Sequence, residues 1–315
     1  MKIKKITKGV DVNTRNKSKK FCKYVDTDSI FYPIEPLFNY RYGGMDEYSD
    51  DEILEKSRPI INDVQDFINK SYNIYSRKYH NITDHRWEIK QEYVAKRAFW
   101  VGKLNSKTKK VEGVKKRYAQ LIVEKEGFKT EFMDVKGLDV VRSSFPTAFR
   151  DFMNEILIDI LNDKSKESLN EKVQKYKSTV NNCNYKDIMA PSGITDITKY
   201  TMDGVGNRKS GTPVHVKAAL SYNDLMTMNN ITNIPTINDG DKILWSYVGT
   251  NKYGFNEVAL KGFEDPEVIE KFVEANIDRT KMFERLLLKK ISNFWLSLGW
   301  DEIQLNPIGN KFFNF

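Results

Sequence analysis

The chain has 315 residues, 40% hydrophobic and 12% aromatic, enough to bury a sizeable core and too many for a disordered polypeptide. Lys and Arg outnumber Asp and Glu by 51 to 43, a formal charge of +8 that suits a polyanionic partner without requiring one. No run of about 18 apolar residues is present, so no membrane-spanning helix is expected, and Cys22 and Cys183 match no zinc or redox spacing.

Residues 1–20, MKIKKITKGVDVNTRNKSKK, carry eight basic side chains and one acidic one, and they lack the apolar stretch of a secretion signal. They read as a solvated basic arm, or as a contact with nucleic acid or a protein partner. From Phe21 the texture changes to FCKYVDTDSIFY, two short apolar runs around a polar turn, which predicts a β-hairpin with Asp and Thr supplying the turn chemistry. An acidic loop, MDEYSDDE, is expected next. A helix follows over roughly Ile60–Tyr79, with Ile61, Val64, Phe67 and Ile68 at helical spacing.

The stretches EYVAKRAFWVG, KKRYAQLIVEK and EFMDVKG are rich in β-branched and aromatic residues and predict a small antiparallel sheet. A polar, basic loop over residues 104–112 joins the first two. After Pro146 the pattern turns helical: Phe149, Phe152, Met153, Ile156, Leu157, Ile160 and Leu161 form one apolar stripe, and Pro146 suits a first turn. A more polar helix is expected over Asn170–Val180. Thr212–Met228 reads as a short apolar strand or helix start with a turn-prone end, and KILWSYVG and NEVALKG read as strands.

Asp265 and Pro266 open a further helix, and Thr280 a second. In the latter Phe283, Leu287, Ile291, Phe294 and Leu298 share a face, and Gly299 ends it. Helices following a sheet give an α+β fold.

Within the hairpin, Asp26 and Asp28 stand two residues apart at the turn. Magnesium takes hard oxygen ligands, commonly one or two carboxylates together with substrate phosphates, and a pair of such ions can serve phosphoryl transfer. Asp is also common in turns for conformational reasons, so the bare pattern fits an ordinary turn as well.

The whole string YVDTDSIF resembles the YGDTDS motif of family B DNA polymerases, with Val25 where glycine is usual. Further matches follow in the order of that family. Lys115-Lys116-Arg117-Tyr118 is similar to its KKRY motif, and GLDVVRSSFP (residues 137–146) resembles the segment leading from palm to thumb. TPVHVKAALSYN (residues 212–223) is similar to a stretch in the thumb of polymerases from T-even-type bacteriophages.

The resemblance implies a palm hairpin and small sheet followed by a mainly helical thumb. The implied divisions are a basic arm (1–20), the C-terminal part of the palm (21–143), the thumb (144–307) and a tail (308–315). It implies that Asp28 ligates the catalytic Mg2+ ions of a two-metal site and that Asp26 supports it. Lys115, Lys116, Arg117 and Tyr118 would contact primer-template DNA, the lysines and the tyrosine at the minor groove. There, acceptors common to all correct base pairs allow a grip indifferent to sequence but sensitive to mispairing. Arg142 and Ser143 would hold a primer phosphate. Read without the resemblance, the KKRY lysines are a solvated face of an edge strand.

Two strings that precede YGDTDS in this family, DxxSLYPS and KxxxNSxYG, do not occur here. The expectation is a naturally split polymerase, with this chain as C-terminal subunit and an N-terminal polymerase piece supplying the second carboxylate and the deoxynucleoside triphosphate site. A gene fragment is the competing account. The ending NPIGNKFFNF, with Phe312, Phe313 and Phe315, resembles the short aromatic peptide with which T-even-type phage polymerases engage the sliding clamp. Packing of the tail on its own thumb is the alternative.

The implied activity is template-directed nucleotidyl transfer in the cytoplasm of an infected bacterium. A non-catalytic, polymerase-derived DNA-binding module stands as the alternative. His80, His85 and His215 are scattered and form no ligand set.

Overall fold

The computed structural model describes residues 22–26, 28–105, 107, 111–202, 204–303 and 305. The basic arm, the aromatic tail with Phe312, Phe313 and Phe315, the middle of the 104–112 loop and the side chain of Asp26 lie outside the described residues. The fold is α+β, as the sequence predicts, with small antiparallel sheets among helices.

The chain divides into two compact units: one runs to Leu138 and includes Leu157–Lys164 and Asn293–Asp301, and the other comprises Asp139–Ile156, Ser165–Ser292 and Glu302–Phe315.

The first unit opens with the predicted hairpin, β1 (Tyr24–Asp26) and β2 (Ser29–Phe31). A short helix unread in the sequence, α1 (Glu35–Tyr42), follows with a proline in its first turn and buries Phe38. The next helix, α2, spans Asp50–His80, so it starts ten residues before the predicted Ile60 and absorbs the end of the presumed acidic loop. Its start is a capping box: the Ser49 hydroxyl accepts from the Glu52 amide, and the Glu52 carboxylate accepts from the Ser49 amide. Asp50, Asp51 and Glu52 lie at the positive end of the helix dipole.

Pro59 sits inside this helix, where its missing N–H ordinarily argues for a break, but the flanking Ile53, Leu54, Ile60 and Ile61 are buried and carry the helix through. Ile61 is core as predicted, whereas Phe67 is 71% exposed, because it stands about 100° around the helix from its neighbour Ile68.

The predicted sheet forms in the order β3 (Tyr93–Leu104), β4 (Val111–Lys125), β5 (Phe128–Lys136), antiparallel throughout. Phe99 and Ile122 are its buried centre, and Phe99 meets the Phe294 ring edge-on. The buried carboxylate of Glu124 is held by Arg58 at 2.7 Å and by the Gln91 amide at 2.9 Å.

The second unit takes up most of α3 (Thr147–Leu161), whose seven predicted stripe residues are all buried. In α4 (Lys166–Thr179), four residues earlier than predicted, Ser165 caps the start, and Tyr176 stacks on Phe152 at 3.7 Å. Short helices α5 (Tyr185–Ile188) and α6 (Ile197–Tyr200) flank β6 (Ala190–Gly193), a strand the sequence hides behind a proline and a glycine.

Residues 214–228, read as strand or helix, are helix α7 (Val214–Met228), and eight of its residues are buried. It packs against the sheet β6–β7–β8, with β7 at Lys242–Tyr247 and β8 at Glu257–Leu260. Helix α8 (Glu267–Asn276) starts at Pro266 as predicted, while Asp265 instead accepts from the Lys261 and Gly262 amides. The last helical run comprises α9 (Arg279–Met282), a π-helical stretch over Phe283–Leu288 and α10 (Lys289–Ser297). Gly299 follows at φ 72°.

Candidate functional site

Strands β1 and β2 pair Tyr24 with Phe31, Val25 with Ile30 and Asp26 with Ser29, and Asp28 lies in the turn between them. Side chains alternate across a strand, so each pair shares a face. Tyr24 and Phe31 face the β3–β4 sheet, where their rings meet Trp100 and Tyr118. All six pairings of these four rings lie between 5.5 and 6.5 Å, mostly edge-to-face. Val25 and Ile30, on the other face, are 54% and 39% exposed.

An isolated two-stranded ribbon would be marginal in water; the ring cluster anchors it. Asp28 is exposed at the tip and borders a cleft of about 280 Å³, whose lining includes Ser29, Tyr32, Gln91, Trp100 and Gln120.

The cluster also fixes the basic stretch of β4. Opposite β3, Trp100 pairs with Tyr118 and Gly102 with Gly113, so residues 114–117 stand against Val101 alone. These four residues, three more than β3 supplies opposite them, form a large bulge containing Lys115, Lys116 and Arg117. Lys116 sits at φ 59°, a left-handed conformation that costs a non-glycine residue about 1 kcal/mol or more and persists only where neighbours enforce it.

Two neighbours do so. The Lys116 amide donates to the Tyr24 hydroxyl at 2.8 Å. Gly137, at φ 64°, lies so close beneath that a Cβ there would stand 1.9 Å from the Lys116 carbonyl oxygen. Lys115 and Lys116 are exposed, Arg117 is half-buried and Tyr118 is 8% exposed, its ring inside the cluster.

Arg142 and Ser143, both exposed, belong to the second unit and follow a short 3-10 turn at Asp139–Val141. The nearly buried Asp139 carboxylate lies 3.6 Å from Arg142 and 3.1 Å from Lys290, so one acid orders two cations. Asp139 and Lys290 also line a cleft of about 250 Å³ with Ser144, Pro191, Ser192 and Trp245.

His215 lies apart in α7, and burial pushes its ring below the ordinary histidine value. In the segment 212–223, the Asn223 side chain grips both backbone groups of Ile237, accepting at 2.7 Å and donating at 2.9 Å.

The structure thus brings together Asp28 and the Lys115–Tyr118 stretch on one ring cluster. Tyr24, Trp100 and Gly137, which hold that arrangement, carry no charge, and nothing in the strings that contain them marks them as neighbours of the bulge. No group of three His, Cys, Asp or Glu side chains able to enclose a metal occurs among the described residues. Nor is any helix of the described residues long and apolar enough to cross a membrane.

A family model described as DNA polymerase family B matches residues 113–296, more than half of the chain. The matched span starts at the base of the bulge and runs into α10, and the hairpin precedes it. No curated protein matches the chain.

Proposed function

The chain belongs to family B of the DNA polymerases, and from that premise we propose that it takes part in template-directed nucleotidyl transfer as the C-terminal part of such an enzyme. Asp28, with Asp26, serves as the carboxylate end of a magnesium site, and Lys115, Lys116, Arg117 and Tyr118 grip the primer-template. The observation that carries this reading is the four-ring cluster, which ties the acidic turn and the basic bulge to one rigid base.

An exposed carboxylate beside a cleft fits magnesium as a partial donor set, since that ion usually keeps water and substrate phosphates among its ligands. When bound, such ions neutralise charge on the transferring phosphoryl group. The rest of the coordination then comes from the deoxynucleoside triphosphate and from polypeptide outside this sequence, which we assign to an N-terminal polymerase piece.

In the second unit, Arg142 and Ser143 hold a phosphate of the primer strand, and the ordering of Arg142 by Asp139 supports that role. The tail with Phe312, Phe313 and Phe315 engages the sliding clamp through aromatic anchors. Removal of residues 311–315 should abolish clamp-dependent processivity and spare distributive synthesis; equal loss of both counts against the clamp.

Primer extension with magnesium and all four nucleotides tests the reading, using the chain alone and mixed with a polymerase piece bearing the DxxSLYPS and KxxxNSxYG motifs. Activity in the mixture that disappears with Asp28→Ala supports it. Primer-template binding without extension in either case identifies a DNA-binding module instead.

A further inference from the structure

We infer that Tyr24 and Gly137 form a latch that sets the DNA-gripping geometry of Lys115 and Lys116, acting as positioning residues rather than ligands of DNA. The inference rests on the proposed DNA-binding role of the bulge and adds the residues that shape it.

A bulge of four residues against one has many conformations open to it, and nothing in KKR selects the one in which Lys116 is left-handed. The selection comes from above and below. Tyr24 Oη accepts from the Lys116 amide at 2.8 Å, inside the stretch where the β3–β4 register breaks. Gly137 lets the chain leaving β5 pass directly against the Lys116 carbonyl, a space that any side chain would fill.

Amide and carbonyl of one residue are thereby held from two segments, and the side chains of Lys115 and Lys116 leave the backbone in fixed directions. Tyr24 stands in the same strand as Asp26, so the latch also joins the position of the grip to that of the acidic turn. A lysine presented by a mobile loop would lose rotational freedom on each encounter with DNA. A latched one loses less, which shows as affinity.

The test has an arm that needs no DNA. In limited trypsin digestion of the complete chain, cleavage after Lys115, Lys116 and Arg117 should accelerate about fivefold in Tyr24→Phe, the scale of one lost hydrogen bond. Cleavage at other exposed basic residues should stay unchanged. Gly137→Ala should accelerate it more; if that variant fails to fold, Tyr24→Phe alone decides. Unchanged cleavage in Tyr24→Phe overturns the latch.

The second arm measures primer-template affinity by fluorescence anisotropy. Tyr24→Phe should weaken binding about fivefold, and the same change in a Lys115→Ala/Lys116→Ala background should add almost nothing. A merely structural tyrosine would weaken both backgrounds equally, and that outcome overturns the proposal. So does full affinity in Tyr24→Phe when the double lysine variant has lost it. If the wild-type chain binds no primer-template, alone or with the polymerase piece, the functional reading fails, and the digestion still reports whether the latch exists.

Discussion

The hairpin with its neighbouring bulge and the sheet β6–β8 with helix α7 solve opposite problems. Around α7 the chain is held by burial and by paired charge: Ala218, Ala219, Leu220, Tyr222, Leu225 and Met226 are buried, and Asp224 pairs with Arg208 at 2.6 Å. Around the hairpin, two apolar side chains face outward, a lysine takes up a left-handed backbone, and a carboxylate and two lysines point to solvent. The ring cluster and the Tyr24 hydroxyl hold it against the sheet. The first region is built to keep its shape and the second to present groups, so local rules are broken where groups are presented. Substitutions should separate along the same line, costing activity in one region and stability in the other.

The sharpest test of that line is Asp28→Ala. In the assembly that extends primers it should lower the rate about a thousandfold, the scale of losing several kcal/mol of charge stabilisation at a metal-assisted transfer. Its thermal midpoint should not move, because Asp28 is exposed and at a turn. A falling midpoint would mean that the turn also holds the fold, and the comparison would blur.

Next in size is Lys115→Ala/Lys116→Ala, expected to weaken matched primer-template about tenfold, whatever its sequence. A mismatched primer end should be weakened less, since the common minor-groove acceptors are displaced there. Equal losses on matched and mismatched ends would assign both lysines to phosphates.

How much of this the sequence reveals follows the same division. Alternating and helical patterns find β1 to β5, α3, β7, β8 and α8, because burial enforces a period. The early start of α2 is legible in Ser49 and Glu52, which form a capping box within a run of acids. Strand β6 was not legible: Ala190–Gly193 has no strand propensity and pairs because β7 offers it an edge.

At the site, the acids and lysines stand out through their string, whereas the shape of the bulge depends on Tyr24 and Gly137, distant in sequence and ordinary in type. The side chain of Asp26 and the tail phenylalanines lie outside the described residues.

On the stability side, Asn223→Ala should cost about 2 kcal/mol, because it removes both side-chain bonds to the buried Ile237 backbone and leaves an amide donor unpaired. Denaturant titration would show the lowered midpoint, and primer-template affinity of the folded variant should be retained. A large loss of affinity at unchanged stability would move the loop before Ile237 into the functional region.

The smallest effect belongs to Glu257, at the start of β8 opposite Tyr247. Burial pushes its carboxyl above the usual carboxylate value, and Lys217, Lys281 and Arg208 pull only partly against that shift. The folded chain therefore holds this proton more tightly than the unfolded one. The contribution to stability is full below the ordinary value of 4.5 and is lost as pH rises through the raised one.

At neutral pH the ionised group is a mild burden, so Glu257→Gln should raise the denaturant midpoint slightly at pH 7.5. That advantage should shrink as the pH falls and the wild-type carboxyl takes up its proton. An advantage that grew on acidification would mean that the three cations hold Glu257 as a favourable ion pair. The second region would then draw on charge as well as burial to keep its shape.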